Sequence, residues 1–382
     1  MVLYVALSTP GEERITREVA ITFQSRLQQL VLGFRRLHPQ VVVQFSLYPE
    51  QQLLSQVRER SRSGLGPDLI VTTAESANAL LRQGLTLPMS LTAEDADDID
   101  PVLLRRLTSP SGAIAALPLV LYTQLACFDR RRVPRPPATV RELLALSADG
   151  VRVGMALQLR DLFWSAGSLG AIPALVAAAQ GRSPDLAQQQ GLLDWMRWLQ
   201  SANIQRDVTF LEKQSGLREG FRRGRYDWIT CDSSDLPSLQ QALGPHLGIA
   251  TLPDGEAGAA SPVNVLQVMA LGTNSSAAQR AMAIELSRYS LRPLVQRNFT
   301  LENQVFLPVN RHVAMPVESA RILGTLESAG HQGEGAAALL ARLHAADPRV
   351  AKLEQVLVSV VFGTIDPRQA VAESLRILNN RP

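Results

Sequence analysis

The stretch Ser61–Ser76, SRSGLGPDLIVTTAES, decides the fold of this chain of 382 residues. A glycine-containing turn leads into Pro67-Asp68, a short apolar run follows at Leu69–Val71, and small polar side chains come next. An apolar run of this length, bounded by turn residues, predicts a buried strand. The polar groups therefore stand at the carboxyl end of a strand, which is where open α/β sheets bind their ligands.

The same alternation of short apolar runs and longer segments of helical period continues along the chain. Because strands and helices interleave in this way, the sequence predicts an α/β fold built from parallel βαβ units. The strand candidates occupy residues 2–7, 41–47, 68–71, 125–128, 151–157, 227–231, 247–252 and 263–271. No strand pattern occurs after about residue 313, so we expect an all-helical C-terminal segment.

Two segments indicate how the chain divides into domains. A chain of 382 residues is too long for one ordinary core, which predicts two domains. The segment 253–264, PDGEAGAASPVN, has the composition of a linker, and the extended run 117–128, LPLVLYTQLACF, is long enough to leave one domain and enter the next. Two such crossings make both domains discontinuous. The predicted lobes are 1–121 with 262–312, and 125–257 with 316–382.

Two helix starts carry recognisable capping signals. Ser183 is expected to cap a helix that has Pro184 in its first turn, and the second helix is expected to start at Asp366-Pro367. In the first of these helices Trp195 and Trp198 fall on or beside the apolar stripe. We therefore expect both rings to pack in or near a core.

Composition excludes several classes of function. The formal net charge is only +3, and arginine is spread among nearly as many acidic residues, unlike the basic faces of nucleic-acid-binding proteins. No apolar run has the length of a membrane-spanning helix, so we expect no integral membrane protein. Cys127 and Cys231 lie in separate apolar runs without metal-site spacing, and we expect buried free thiols.

The sequence lacks the common catalytic signatures. It has no phosphate-binding loop ending in lysine, no GxGxxG after a strand, no GxSxG and no HExxH. The five histidines, His38, His246, His312, His331 and His344, are scattered. We therefore predict a protein without catalytic residues, metal or cofactor.

Polar groups at strand ends remain as the functional signal. Their hydroxyls, amides and carboxylates suit a ligand with many hydroxyl groups, which both donate and accept hydrogen bonds. Any one of these loops could be an ordinary helix cap, but the four together favour a single binding site. The four loops are Ser8-Thr9, Thr72–Glu75, which includes Thr73, Gln158–Asp161 and Asp232–Asp235.

Six longer motifs occur in a fixed order along the chain. They are FRRLHPQVVVQF (34–45), GPDLIVTTAESANALLRQGLTLPM (66–89), AALPLVLYTQLACFDRRRVPRPPATVRELLAL (115–146), FRRGRYDWITCDSS (221–234), LGIATLPDG (247–255) and VLVSVVFGTIDPRQAVAESLRIL (356–378). In this order they resemble a known family, the extracellular solute-binding proteins of ABC importers, and within it the sugar-binding group that includes maltose-binding protein. The likeness runs nearly from end to end.

This resemblance implies a type 2 periplasmic binding protein fold, in which two α/β lobes around a hinge close on a ligand. It implies capture of a small carbohydrate or other polyhydroxylated solute, delivery to the membrane permease subunits of an importer, a monomeric state and no catalysis. It also implies a periplasmic or extracytoplasmic location, often with a lipid anchor. The start MVLYVALSTP lacks a signal-peptide pattern, which leaves either a cytoplasmic protein or a removed leader, and the resemblance favours the removed leader.

The resemblance also implies ligand-binding positions. Gln51 and Gln52 match polar positions after the second strand, and Glu75 matches an acidic sugar-binding position. Thr72 and Ser234 stand where the family has stacking tryptophans, which argues against a long maltodextrin. The complete predicted set is Ser8, Thr9, Gln51, Gln52, Thr72, Thr73, Glu75, Tyr122, Arg160, Asp161, Asp232 and Ser234. Tyr48, Tyr122 and Trp164 are the remaining candidates for stacking on a sugar, with Trp164 equally a core candidate, and Glu354 matches a further contact loosely.

Three alternatives stay open at this point. Glu75, Asp161, Asp232 and Asp235 could instead bind a cationic solute such as a polyamine or an amino-acid derivative. Asp161 and Asp232 could act as the acid and base of a transferase or hydrolase on the same scaffold. The third alternative is a sensor or scaffold that no longer binds any solute.

Overall fold

A computed structural model describes residues 1–9, 15–109, 111–318, 320–340, 342–343 and 347–380, except the side chains of Glu18 and Thr22. His344, one of the five histidines considered above, lies outside these residues. The chain forms two compact units. Unit 1 comprises Met1–Tyr122 and Val265–Pro316, and unit 2 comprises Thr123–Asn264 and Val317–Pro382. That these units act as the two predicted ligand-binding lobes stays a prediction.

The described residues contain eleven strands and seventeen α-helices. The strands are β1 Val2–Thr9, β2 Val42–Pro49, β3 Leu69–Thr73, β4 Thr86–Leu87, β5 Leu117–Tyr122, β6 Gln124–Asp129, β7 Val153–Ala156, β8 Val208–Leu211, β9 Trp228–Asp232, β10 Leu247–Ala250 and β11 Val265–Gly272. The helices of unit 1 and of the first half of unit 2 are α1 Arg17–Leu37, α2 Glu50–Arg62, α3 Ala74–Arg82, α4 Ala93–Asp98, α5 Pro101–Leu107, α6 Val140–Ala148, α7 Leu159–Ser168, α8 Ile172–Ala179, α9 Leu186–Ile204, α10 Gln214–Arg222 and α11 Leu236–Leu243. The remaining helices are α12 Ala277–Leu291, α13 Pro293–Asn303, α14 Arg321–Gln332, α15 Glu334–Leu340, α16 Pro348–Val361 and α17 Pro367–Asn379.

The sheet of unit 1 has the strand order β2-β1-β3-β11-β4, and β5 also pairs with β11. Strands β1, β2 and β3 are parallel, as the alternating pattern predicts. Strand β11 runs antiparallel to β3, β4 and β5, so the sheet is mixed and the prediction of parallel units holds for only part of it. Because β1 and β3 are parallel neighbours, their carboxyl ends lie at the same edge of the sheet.

The sheet of unit 2 has the order β10-β6-β9-β7-β8 and is also mixed. Strands β7, β8 and β9 are parallel, whereas β6 runs antiparallel to β9 and β10. The first residue of β6, Gln124, is therefore paired with the last residue of β9, Asp232. This pairing brings the start of β6 to the edge where β7, β8 and β9 end.

The expectation of two free thiols is wrong. Cys127 in β6 and Cys231 in β9 form a disulfide, with their Cα atoms 5.9 Å apart. That separation is ordinary for a disulfide between neighbouring strands. The two residues are 104 positions apart, and nothing in their local sequence shows that β6 and β9 are neighbours.

The core of unit 2 contains the large aromatic rings. Trp195 and Trp198 are buried, as predicted. Trp164 is fully buried and packs against the rings of Trp198 and Trp228, so it belongs to the core and is not a platform for a sugar ring. A tryptophan near a predicted ligand loop looks the same in sequence whether it faces the core or the solvent.

The described C-terminal residues after position 313 contain helices and no strand, in agreement with the sequence prediction. Helices α16 and α17 pack against α9, and α15 packs against α7 and α8. Gly363 lies between α16 and α17 at φ 71°, a left-handed conformation that glycine adopts without steric cost.

The two predicted helix starts have different outcomes. Asp366 caps α17 as expected, and its side chain accepts hydrogen bonds from the backbone N–H groups of Arg368 and Gln369. Helix α9 begins two residues later than predicted: Asp185, not Ser183, is its cap, in a reciprocal pair with Gln188. Within the described part of the chain, no helix is both long enough and apolar enough to cross a membrane.

Candidate functional site

The polar residues of the opening stretch lie at the carboxyl edge of the unit 1 sheet. Ser8 and Thr72 are fully buried, and the Ser8 hydroxyl donates to Thr72 Oγ1 over 3.0 Å. The Thr9 hydroxyl donates to the backbone oxygen of Tyr48 over 3.3 Å. Thr73 caps α3 and donates its hydroxyl to Glu50 Oε1 over 2.5 Å. Each of these buried groups therefore has a partner within unit 1.

Glu75 follows in the first turn of α3, where the positive end of the helix dipole favours a carboxylate. Its Oε1 forms an ion pair with the Arg106 guanidinium over 2.8 Å, and the Arg106 side chain is only 9% exposed. The charge of Glu75 is thus balanced inside unit 1. Gln51 and Gln52 lie in the first turn of α2 with exposed side chains.

Tyr122 is the last residue of β5 and is only 8% exposed. Its ring packs edge-on against Phe306, with ring centroids 5.6 Å apart, and Phe306 in turn contacts Phe299. The Tyr48 hydroxyl, on β2, accepts a long hydrogen bond of 3.5 Å from Arg60. The Tyr122 ring is thus part of an aromatic cluster in unit 1.

In unit 2 two loops follow parallel neighbouring strands. Helix α7 begins after β7 and carries Arg160, half-buried, and Asp161, buried, in its first turn. A short 3₁₀ turn follows β9 and carries Ser234 between Ser233 and Asp235. Because β7 and β9 are parallel neighbours, the two loops share one edge of the sheet.

Gln124 connects these loops and was missed by the sequence prediction. Its Nε2 donates to the backbone oxygen of Asp161 over 3.1 Å, and its Oε1 accepts from the backbone N–H of Val263 over 3.1 Å. It is also the strand partner of Asp232. Only the antiparallel pairing of β6 with β9 brings Gln124 to this edge, and a local sequence pattern does not show that pairing.

Four carboxyl groups come together at this edge of unit 2. Asp235 pairs with Arg218 of α10 over 2.7 Å and accepts from the backbone N–H of Asp232 over 3.3 Å. Glu354, on α16, accepts from the backbone N–H of Leu159 over 3.0 Å. Asp161 and Asp232 complete the group. We call these four residues the acid cluster.

The pKa of Asp161 is raised to about 6, mainly by burial; Arg160 opposes this shift, and the nearby charges of Glu354 and Asp235 contribute to it. Burial is also the main cause that raises the pKa of Asp232 to about 7, with Asp235 and Asp161 adding to it and Arg160 and Arg218 opposing. Burial raises the pKa of Glu354 as well. Parts of the acid cluster therefore change their charge near neutral pH.

The structure places predicted residues in two groups, one in each unit. Ser8, Thr9, Thr72, Thr73 and Glu75 lie at one edge of the unit 1 sheet, and Arg160, Asp161, Asp232 and Ser234 lie at one edge of the unit 2 sheet. The sequence prediction missed Glu50 and Gln124. In the described residues no group of three or more His, Cys, Asp or Glu side chains has an arrangement that could hold a metal ion.

The fold and these strand-end groups define the class of protein. Two discontinuous α/β units, each with polar side chains at the carboxyl edge of its sheet, are typical of proteins that bind small solutes. Residues 29–321 match the sequence profile of the family described as bacterial extracellular solute-binding protein. The chain belongs to this family, and its place of action is therefore outside the cytoplasm.

Solved structures with the same fold have low sequence identity to this chain. The GacH receptor of Streptomyces glaucescens GLA.O, solved without ligand and with acarbose, is 15% identical with a TM-score of 0.75, over 98% of this chain and 96% of that one. The maltodextrin-binding protein MalE1 of L. casei BL23 is 13% identical with a TM-score of 0.76, over 100% and 99%. A solute-binding protein of an ABC transporter from Thermotoga lettingae TMO, bound to α-D-tagatose, is 13% identical with a TM-score of 0.71, over 99% and 98%. By sequence, no curated protein matches the chain.

Proposed function

We propose that this protein is the substrate-binding component of an ABC importer, which captures a small carbohydrate or sugar-like osmolyte and delivers it to membrane permease subunits. The observation that carries the proposal is the family match over residues 29–321. It is supported by the bound sugars of proteins with the same fold, α-D-tagatose in one and acarbose in another. We propose no nucleic-acid partner and no cofactor.

The side chains at the edge of unit 2 suit a polyhydroxylated ligand. A sugar hydroxyl donates to a carboxylate such as Asp161 and accepts from a guanidinium such as Arg160, and both hydrogen bonds are strengthened by charge. Sugar faces also stack on aromatic rings, and the burial of Trp164 removes one candidate ring. The proposal is therefore a mono- or disaccharide, or a polyol of similar size.

A cationic solute is less well supported. Of the four acids that this alternative requires, Glu75 is paired with Arg106 and Asp235 with Arg218. The raised pKa values of Asp161 and Asp232 lower the negative charge that the other two carry near neutral pH. A polyamine would need these charges unpaired and ionised.

Binding measurements test the proposal directly. We expect D-tagatose or maltose to raise the melting temperature of the protein, whereas putrescine and spermidine do not. A ligand at a hundred times its dissociation constant adds about 2.7 kcal/mol to the free energy of unfolding. A shift with the amines alone would contradict the sugar proposal, and no shift with any compound would support the sensor alternative.

Substitution locates the site. Asp161→Ala is expected to weaken binding of the responding sugar by more than tenfold in titration calorimetry. Asp194→Ala is the matched control, because Asp194 lies in the same unit with a half-exposed side chain paired to the exposed Arg197. Equal affinities of both variants and the parent protein would place the site elsewhere.

We further propose that the protein is non-enzymatic and monomeric, with a lipid anchor outside the cytoplasm. The ligand should be recovered unchanged by mass spectrometry after prolonged incubation, and light scattering should give a mass near 41.6 kDa for the unanchored chain. A converted ligand whose conversion stops in Asp232→Asn would instead support the acid and base alternative.

A further inference from the structure

Among the described residues, the acid cluster of unit 2 brings four carboxyl groups together with two arginines. Arg160 from α7 and Arg218 from α10 face Asp161, Asp232, Asp235 and Glu354, which come from α7, β9, the following 3₁₀ turn and α16. Arg218 is already paired with Asp235. Among the residues that the structure describes, none donates a hydrogen bond to the carboxyl oxygens of Asp161, although its side chain is only 8% exposed.

Gln214 gives a second, independent sign that a ligand belongs at this edge. It is the first residue of α10 and is only 8% exposed. Its backbone N–H donates to Gln158 Oε1 over 3.3 Å, and its Nε2 donates to the backbone oxygen of Thr230 over 2.6 Å. It therefore lies between the loop that leads to Asp161 and the strand that ends at Asp232. Its own Oε1 is buried and has no partner in the described part of the chain.

A buried hydrogen-bond acceptor without a partner destabilises the folded protein, because it has lost its hydrogen bonds to water. The Gln214 amide oxygen therefore needs a hydrogen-bond donor from outside the described part of the chain, and the neighbouring Asp161 carboxyl group can accept one as well. The hydroxyl groups of a polyol are neutral donors that meet this need without introducing a charge.

We propose that solute capture is proton-linked: Asp161 and Asp232 accept ligand hydroxyls as carboxylates, so that binding expels protons from the site and acid releases the ligand. The inference rests on the proposed function and concerns the same site. A hydroxyl donor stabilises the ionised form of a carboxyl group, and by linkage a ligand that prefers the ionised form binds less tightly when that form is scarce.

The direction and the size of the change in affinity with pH follow from the pKa values of Asp161 and Asp232. Burial raises the pKa of Asp161 to about 6 in the protein without ligand, so this group is largely ionised at pH 7.5 and largely protonated at pH 5. Asp161 alone then weakens binding by about tenfold between these two pH values, and Asp232 adds to the effect in the same direction.

The test is titration calorimetry of the whole protein with D-tagatose and maltose at pH 7.5, 6 and 5. We expect the dissociation constant of the responding sugar to rise at least tenfold from pH 7.5 to pH 5. At pH 6 the binding enthalpy should also differ between two buffers of different ionisation enthalpy, by an amount that corresponds to proton release. The buffer comparison needs no variant, so a folding defect cannot affect it.

Asp161→Asn should weaken binding at pH 7.5 and reduce both the pH dependence and the proton release, whereas Asp194→Asn should match the parent protein. A sugar that binds with the same affinity at all three pH values, and without proton release, overturns the inference and leaves the proposed function intact. The absence of binding by every sugar at pH 7.5 overturns the proposed function and the inference with it.

Discussion

The disulfide between Cys127 and Cys231 is expected to supply a large part of the stability of unit 2. The bond closes a loop across a sequence separation of 104 residues. In the chain-entropy description, a cross-link over about a hundred residues lowers the entropy of the unfolded chain by the equivalent of about 5 kcal/mol. Both sulfur atoms are fully buried, so Cys127→Ala with Cys231→Ala removes the bond and adds a small cavity.

Tryptophan fluorescence isolates this effect. All four tryptophans of the chain, Trp164, Trp195, Trp198 and Trp228, lie in unit 2, and all are buried. Unfolding in guanidinium chloride, followed by this signal, therefore reports on unit 2. With a slope of about 5 kcal/mol per molar, the midpoint of the double alanine variant should fall by about 1 M.

Two controls separate the bond from the substitutions. The parent protein, unfolded and refolded with a reducing agent present throughout, should show a similar loss, because its chain entropy changes in the same way. An excess of reducing agent should change nothing in the double alanine variant. A double variant whose free energy of unfolding lies within about 1 kcal/mol of the oxidised parent would refute the reasoning from loop length.

Further predictions concern charge and packing. The pKa of buried Asp161 is raised, so its ionisation destabilises the folded protein as the pH rises. Asp161→Asn should therefore stabilise the ligand-free protein by up to about 3 kcal/mol above pH 7 and should have no effect below pH 4. Chemical denaturation at several pH values measures this difference. Equal stabilisation at both ends would contradict this. Gly272→Ala would place a Cβ atom 1.8 Å from the backbone oxygen of Pro67 and should lower the free energy of unfolding by about 1–3 kcal/mol. In the control Gly216→Ala the nearest atom to the new Cβ is a side-chain carbon at 3.4 Å, so this variant should not be destabilised. Thermal denaturation followed by circular dichroism compares the two variants. Glu75→Gln leaves the buried Arg106 without its countercharge and should cost about 1–3 kcal/mol in chemical denaturation, and a neutral result would show that water compensates the arginine.

Much of the fold could be predicted from the sequence because strands and helices have different periods. The apolar runs at 2–7, 41–47 and 68–71 correspond to β1, β2 and β3, and the small polar residues after Val71 include the Thr73 cap of α3. The short strands β4 and β8 were missed. The antiparallel direction of β11 was missed as well, since it follows from the return of the chain to unit 1 and not from any local pattern.

The candidate site likewise contains residues that a local sequence pattern predicts and residues that only the folded structure brings to it. Asp161 and Asp232 could be proposed from the sequence because Asp232 directly follows an apolar run and Asp161 comes in the loop after another, and this placement is local in sequence. Gln124 is the strand partner of Asp232 at a distance of 108 residues, and Gln214 comes from a third segment. Only the register of the strands brings these residues to one edge, and the same limit explains why the disulfide was taken for two free thiols.

The return of the chain to unit 1 has a consequence for biosynthesis. Strand β11 lies inside the unit 1 sheet, where it pairs with β3, β4 and β5, yet it is made only after residues 123–264 of unit 2. A nascent chain that ends before Val265 has open strand edges on β3 and β5, and such edges promote aggregation. These edges of unit 1 stay open during synthesis until β11 has been made, after the whole of residues 123–264.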